Sequence, residues 1–150
     1  MKNKFKKRIF LGHPFTNLLK NNLVRNETKN RILKIIKLLE LKGYDVSCAL
    51  VREKFGEQLM SHEECTPLDF LEIRKCDIFL AFPSNSGGVH IELGWASALG
   101  KEIILFLKED EKYSPLVNGL TKITNVKIIR YNDKNLYDKL NKGVIEYGNK

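Results

Sequence analysis

The sequence has few cysteines and no long hydrophobic run, and these two absences limit the classes of protein to which it can belong. Its three cysteines, Cys48, Cys65 and Cys76, include no CxxC pair, which argues against a disulfide framework and is typical of a reducing compartment. No apolar run approaches the roughly 20 residues that cross a bilayer. The basic start MKNKFKKRIFLG has too short an apolar segment for a signal peptide. We therefore expect a cytoplasmic protein without a membrane partner.

Basic residues outnumber acidic ones, and the net charge of +8 raises the question of a nucleic-acid partner. Lys29, Lys34 and Lys37, however, alternate with apolar residues, as on the solvated face of an amphipathic helix. No basic run is interleaved with the aromatic residues on which single-stranded nucleic acids stack. We therefore do not predict a nucleic-acid partner, although a basic surface would attract small phosphorylated substrates.

Apolar segments alternate with helical patterns along the whole chain. The predicted strands are residues 8–12, 44–49, 77–82, 102–107 and 126–131, and the predicted helices are residues 26–42, 66–75, 89–99 and 135–147. Between residues 108 and 124 we expect a loop with one helical turn after Pro115. This alternation predicts a single α/β domain over residues 1–150. We expect a flavodoxin-like (Rossmann-like) five-stranded parallel sheet of strand order 2-1-3-4-5, with helices on both faces.

Ligands of such sheets bind beyond the carboxyl ends of the strands, where the first and third strands of the chain meet. This rule selects two loops, residues 12–15 and 83–88. The second loop contains SNSGG directly before a predicted helix, whose free N–H groups and dipole favour an anion. A simple turn with serine caps is the structural alternative. Neither a P-loop nor the GxGxxG dinucleotide motif is present.

Two carboxyl groups are candidates for catalysis. Glu92 follows Gly88 by four residues, and we expect the helix N-terminus to keep its partly desolvated carboxylate ionised, as a nucleophile requires. The alternative is an acid that merely complements the helix dipole. Asp69 is the second candidate; with Thr66 as N-cap and Pro67 at N1, it would otherwise occupy the N3 position of a capping box variant. Glycosidic cleavage commonly uses one nucleophile and one proton donor of this kind.

Three histidines are weaker candidates. His13 and His90 flank the predicted crevice, where a histidine can contact a base or a phosphate. His62 and Cys65 have helical spacing suited to a metal, but no further ligand pair accompanies them. We therefore predict neither a metal nor a cofactor.

Four segments resemble the nucleoside 2-deoxyribosyltransferase superfamily and together extend over most of the chain: RIFLGHPF, LDFLEIRKCDIFLAFP, SGGVHIELGWASALGK and SPLVNG. The closest resemblance is to its branch of 2′-deoxynucleoside 5′-monophosphate N-hydrolases and cytidylate N-glycosidases. It implies hydrolysis of a (deoxy)nucleoside 5′-monophosphate to free base and sugar 5-phosphate. It also implies that Glu92 attacks the anomeric carbon, forming a covalent intermediate, and that Asp69 assists protonation of the base or activation of water.

The resemblance also implies which residues bind the substrate. Ser86 stands where transferases typically have an acid that holds the sugar 5′-hydroxyl; a serine can donate to a 5′-phosphate, which an acid would repel. Ser114 matches a phosphate-contacting serine that the neighbouring subunit supplies, which implies a homodimer with shared active sites. The other predicted binding residues are Phe10, Gly12, His13, Gly88 and Asn118.

The chain departs from the family pattern in two places. Phe10 stands where many relatives have Tyr. The segment HPFTNLLK lacks the Arg that hydrolase-type relatives carry soon after the first strand, and Lys20 is a candidate substitute. Three alternatives stay open: a base-exchanging deoxyribosyltransferase, a TIR-like NAD-cleaving enzyme, and a nucleotide sensor without turnover.

Overall fold

The computed structural model describes residues 6–146. In chain order the strands are β1 (Arg8–Gly12), β2 (Leu19–Lys20), β3 (Leu23–Val24), β4 (Asp45–Cys48), β5 (Ile78–Ala81), β6 (Glu102–Lys108) and β7 (Val126–Tyr131). The α-helices are α1 (Asn26–Leu41), α2 (Ala49–Arg52), α3 (His62–Lys75), α4 (Gly87–Ala98), α5 (Pro115–Asn118) and α6 (Leu136–Gly143). Short 3₁₀ turns occupy Thr16–Leu18, Lys54–Gly56 and Gly119–Lys122.

Five of these strands form one parallel sheet, in the order β4-β1-β5-β6-β7. Strands β2 and β3 pair only with each other, as a small antiparallel hairpin after β1. Counted without that hairpin, the order is the predicted 2-1-3-4-5, so the flavodoxin-like fold is confirmed. All four residues of β5 are buried, as expected for a central strand covered on both faces.

The helices cover both faces of the sheet, as predicted. On one face, Ile32, Ile35 and Leu39 of α1 share a hydrophobic cluster with Leu140 of α6. On the other face, Ile73 of α3 packs in a second cluster with apolar residues of α4. Among the described helices, none combines the length and apolar composition that crossing a membrane demands.

Helix α3 begins earlier than predicted. Ser61 is its N-cap, and Ser61 and Glu64 form a complete capping box. The prediction of Thr66 as N-cap is therefore wrong, because Ser61 and Glu64 satisfy the free N–H groups one turn earlier. Pro67 lies inside the helix, where it removes one backbone donor. Asp69 is thus the eighth helical residue, which excludes its alternative role in a capping box.

The other boundaries differ less from the prediction. Helix α4 begins at Gly87, two residues before the predicted start, because Ser86 caps it. The predicted helical turn after Pro115 is present as α5. The last helix, predicted for residues 135–147, ends at Gly143, and residue 147 lies outside the described residues.

Candidate active site

A cavity of about 650 Å³ opens at the carboxyl edge of the sheet, beyond β1 and β5. We call it the main cavity. The loop after β1 and the N-terminal half of α4 form one side, and α3 and the segment after α2 form the other. Five predicted site residues line it: His13, Asp69, Ser86, Gly88 and Glu92. The topological rule therefore selected the correct edge of the sheet.

Glu92 is the sixth residue of α4, and its Oε2 atom is buried without a hydrogen-bond partner among the described residues. Gly12 makes room for it at the end of β1. A Cβ atom on Gly12 would lie 3.0 Å from Oε2 of Glu92 and 2.5 Å from Cζ of Phe79. A larger residue than glycine would therefore collide with the Phe79 ring and crowd the Glu92 carboxyl group.

Burial raises the pKa of Glu92 to about 8, with a further contribution from the nearby Asp69 and an opposing one from Arg52. The expectation that the helix N-terminus keeps this carboxylate ionised is therefore wrong. The helix dipole acts mainly within the first turn, and Glu92 lies in the second. Loss of water around Oε2 is the larger effect.

Asp69 is held by an arginine that the sequence analysis did not single out. Nη2 of Arg52 lies 2.9 Å from Oδ1 of Asp69 and 3.3 Å from Oε1 of Glu53. Burial raises the pKa of Asp69 above its usual value, and the ion pair with Arg52 opposes that shift. Asp69 and Glu92 both line the main cavity, so the fold brings the two predicted carboxyl groups together.

Glu53 is a second residue that the sequence analysis missed. It lines the main cavity and is only 6% exposed. Beyond its ion pair with Arg52, its Oε2 atom accepts a long hydrogen bond from the backbone N–H of Met60, at 3.5 Å. Both Arg52 and Glu53 follow β4 at the carboxyl edge of the sheet, and that position was the signal available in the sequence.

Ser86 and Gly88 form the polar end of the main cavity. Oγ of Ser86 accepts a hydrogen bond from Val89 N at 3.4 Å, which leaves its hydroxyl proton available to a ligand. A Cβ atom on Gly88 would meet only Ser86 Oγ, at 3.9 Å, so this backbone is open to close approach. His90, by contrast, contacts the Ser86 carbonyl oxygen and is not part of the cavity wall.

His13 is buried beside the loop after β1. Its Nδ1 atom lies 2.9 Å from the carbonyl oxygen of Pro14, and its Nε2 atom lies 3.0 Å from Nη2 of Arg31. Because an arginine can only donate, Nε2 accepts and Nδ1–H donates, which defines a neutral tautomer. Burial lowers the pKa of His13 to about 4. The hydrogen bond to Pro14 opposes this shift, and the charge of Arg31 adds a smaller lowering effect.

Three predicted binding residues lie away from the main cavity of this chain. Phe10 is 1% exposed and stacks on Phe79 in the core, so its position does not support the predicted substrate contact. Phe10 is the middle residue of β1, which is covered on both faces, so its ring cannot reach the cavity at the end of the strand. Ser114 caps α5, where its Oγ atom accepts from Leu116 N at 3.2 Å. Asn118 accepts a 2.8 Å hydrogen bond from Nη2 of Arg130.

No family model matches the chain, and no curated protein matches it. Among solved structures, it is similar to the CMP N-glycosidase BcmB of Clostridium botulinum, at 40% identity over 91% of this chain and 97% of that one, with a TM-score of 0.68. The solution structure of BlsM is 38% identical over 93% of this chain and 90% of that one, with a TM-score of 0.78.

A third neighbour supports the fold alone. It is a conserved protein from Enterococcus faecalis V583, with 14% identity, a TM-score of 0.59, and coverage of 93% of this chain and 99% of that one. The overall fold is thus shared at low sequence identity.

The buried carboxyl group of Glu92 predicts a pH-dependent loss of stability. The folded protein holds the Glu92 proton up to a pKa of about 8, whereas the usual value is 4.5. The stabilising effect of that proton is complete below the lower value and is lost as the pH rises through the higher one. Glu92→Gln, which cannot ionise, should therefore melt a few degrees above the wild type at pH 9 and close to it at pH 4.5.

Thermal melts of both proteins between pH 4.5 and 9 measure this difference. The exposed Glu57 provides the control, because Glu57→Gln should follow the wild type at every pH. A melting-temperature difference between Glu92→Gln and the wild type that does not grow with pH would contradict the shifted pKa.

Proposed function

The chain belongs to the cytidylate N-glycosidase branch of the nucleoside 2-deoxyribosyltransferase-like family, and on that premise we propose that it hydrolyses the base–sugar bond of a nucleoside 5′-monophosphate. The products would be the free base and a sugar 5-phosphate. The neighbour BcmB is described as a CMP N-glycosidase, which supports nucleotide N-glycosidase activity at the level of the family. The observation that carries the proposal for this chain is the buried, unpartnered carboxyl oxygen of Glu92 beside Asp69 in one cavity.

Glu92 is the proposed nucleophile. Its carboxylate oxygen forms a bond to the anomeric carbon while the bond between that carbon and the base nitrogen breaks. The electron pair leaves with the base, which takes up a proton. Water then cleaves the glycosyl ester and restores the carboxylate, so the sugar configuration is retained. A buried carboxylate without hydrogen bonds is a stronger nucleophile than a solvated one, and positive charge on the sugar ring favours its ionised form.

Asp69 is the proposed proton donor and acceptor. Burial raises its pKa, which favours a carboxyl group able to protonate the departing base. The same group, once ionised, takes a proton from the attacking water in the second step. Arg52 lies 2.9 Å from Asp69 and stabilises that ionised form. Arg52 is itself held by Glu53, so the two acids and the arginine behave as a connected unit.

Ser86 is the proposed contact for the 5′-phosphate. It lies at the N-terminus of α4 and six residues before Glu92, which corresponds to roughly 9 Å along a helix axis. A nucleotide with its anomeric carbon near Glu92 can extend its phosphate toward this end. The free N–H groups of the first helical turn and the Ser86 hydroxyl then act as donors. The open backbone at Gly88 allows the approach.

We also propose a homodimer in which the partner subunit completes the site. Ser114 and Asn118 are exposed and lie outside the main cavity of their own chain. They can therefore contact a substrate in that cavity only from a second copy. The side chain of Leu116, between them in the sequence, is 81% exposed. Such exposure in an isolated chain is typical of an apolar residue that a partner subunit covers.

The primary experiment measures base release from nucleoside monophosphates. The wild type should release base from at least one of the common ribo- or deoxynucleoside monophosphates, and Glu92→Ala should lose roughly 1000-fold or more of that rate. The kcat/KM of the wild type should rise as the pH approaches about 8, because the ionised form of Glu92 is the nucleophile. It should fall again at higher pH, because Asp69 must carry a proton to donate to the departing base. Glu63→Ala, on the exposed face of α3, is the control and should keep wild-type activity.

Two outcomes would overturn this assignment. A fully active Glu92→Ala variant would remove Glu92 as the nucleophile. Preference for an unphosphorylated nucleoside, with a new nucleoside formed when a second base is added, would show base exchange in place of hydrolysis.

Replacing Ser86 tests the phosphate contact separately. Ser86→Asp keeps a good N-cap but places a negative charge against the phosphate. It should lower kcat/KM for the nucleoside monophosphate by roughly 10- to 100-fold and leave the activity on the matching nucleoside unchanged. Ser86→Asn, of the same size and also a good cap, is the neutral control. Equal losses on both substrates in the Asp variant would argue against a phosphate at this position.

Mixed dimers test the shared active site. Glu92→Ala and Ser114→Asp, each expected to be inactive on a nucleotide, should recover activity when the two chains exchange subunits. One of the two sites in a mixed dimer is intact, so random exchange of equal amounts should restore about a quarter of the wild-type activity. Analytical ultracentrifugation reports the oligomeric state in parallel. A single-chain mass at assay concentration, or no recovery in a verified mixed dimer, would exclude the arrangement.

A further inference from the structure

A second cavity of about 510 Å³ lies next to the main cavity. Arg31, Ser84, Glu111, Lys112 and Tyr131 contribute to its wall, and we call it the Arg31 cavity. It shares three wall residues with the main cavity: His13, Asn17 and Asn85. Between the two cavities, Nδ2 of Asn17 donates a 3.3 Å hydrogen bond to the Asn85 carbonyl oxygen, in an exposed contact. One ligand can therefore reach both cavities.

Arg31 projects from α1 with most of its hydrogen-bonding capacity unused. Within residues 6–146 no carboxylate forms an ion pair with it, and its Nε atom is buried without a hydrogen-bond partner. Its recorded partner is Nε2 of His13, through Nη2 at 3.0 Å. A guanidinium group has five N–H donors and favours paired contacts with a planar or tetrahedral oxyanion. A partly buried cation without a counter-ion is costly, and a bound anion removes that cost.

His13 is neutral, so it does not balance the charge of Arg31 and adds no positive charge of its own. Its neutral imidazole accepts from Arg31 through Nε2 and donates to the Pro14 carbonyl through Nδ1. It therefore orients the guanidinium without neutralising it. The histidine stands between the two cavities, so the charge of Arg31 acts on both.

The other charged groups in the Arg31 cavity leave an excess of positive charge. Lys112 adds a second cation, and Glu111 is the opposing carboxylate. Glu111 is already engaged, since Oε2 accepts from the Tyr113 hydroxyl at 2.8 Å and Oε1 accepts from the Ser84 hydroxyl at 3.4 Å. Tyr131 lines the cavity as a neutral phenol, because burial raises its pKa above the usual value.

We propose that the Arg31 cavity is a phosphate-binding subsite, in which Arg31 binds the phosphate group of the nucleotide whose sugar lies in the main cavity. This inference rests on the proposed function. Asn85 belongs to both cavities and adjoins Ser86, so one phosphate can lie between the N-terminus of α4 and the Arg31 guanidinium. The cation that binds the substrate phosphate is thus Arg31 of α1, a helix that the sequence pattern did not connect with the site.

Kinetics with and without the phosphate test this assignment. CMP, the nucleotide named for the neighbour BcmB, is taken as the test substrate and cytidine as its match without phosphate. Arg31→Gln should lower kcat/KM for CMP by roughly 10- to 100-fold while leaving the lower value for cytidine unchanged. Arg31→Lys should retain part of the preference for CMP, because it keeps the charge but not the fork of donors. Lys37→Gln, which removes a cation from an exposed position of the same helix, should behave as the wild type. Equal losses of kcat/KM on CMP and on cytidine would overturn the proposal and show that Arg31 only positions His13.

Measurements of ligand binding by thermal stabilisation test the phosphate subsite independently of catalytic activity. Inorganic phosphate and ribose 5-phosphate should each raise the melting temperature of the wild type and of Lys37→Gln, but not that of Arg31→Gln. Ribose 5-phosphate should also inhibit base release competitively with CMP. Equal stabilisation of the wild type and Arg31→Gln would place the phosphate elsewhere, and non-competitive inhibition would indicate a separate anion site; both results would overturn the proposal. Absence of base release from every nucleotide would instead reject the proposed function, with the phosphate measurement still interpretable.

Discussion

The burial of one carboxyl group without a hydrogen-bond partner is the constraint on which the rest of the site depends. Oε2 of Glu92 is removed from water, and the fold tolerates this by raising its pKa to about 8. One feature is linked to that burial, and a second raises the pKa further. Gly12 allows β1 to pass close to the carboxyl group, because a Cβ atom there would lie 3.0 Å from Oε2 of Glu92. Asp69 lies near enough to add electrostatic repulsion, and Arg52 limits that repulsion.

The parallel sheet places these groups together although they are far apart in the sequence. Gly12 ends β1, Arg52 follows β4, and Glu92 lies on the helix after β5. In a sheet of this order β4, β1 and β5 are adjacent, so the loops at their carboxyl ends form one surface. Asp69 reaches the same surface from α3, the helix that precedes β5. The chemistry proposed for this protein therefore depends on strand order as much as on any single residue.

The sheet and the edge that carries the cavity were predictable, because hydrophobic periodicity marks the strands and helices and few strand orders suit their alternation. The pair of acids was predicted from the needs of glycosidic cleavage and from the family resemblance. The sequence did not predict the ion pairs of Arg52 or the position of Arg31, since these contacts join residues of different elements. The start of α3 was predicted wrongly because two sets of capping signals lie only five residues apart, at Ser61 and at Thr66. The ionisation of Glu92 was predicted wrongly because desolvation depends on packing around Gly12 and cannot be read from neighbours in the chain.

The neutral state of His13 has a consequence for the distribution of charge between the two cavities. A histidine with a pKa of about 4 carries no charge anywhere in the physiological range. The residues shared by the two cavities, His13, Asn17 and Asn85, therefore carry no charge near neutral pH. Acids gather at one end, with Glu92, Asp69 and Glu53, and cations at the other, with Arg31 and Lys112. A ligand with one anionic terminus is therefore favoured in the orientation that places that terminus beside Arg31 and Lys112.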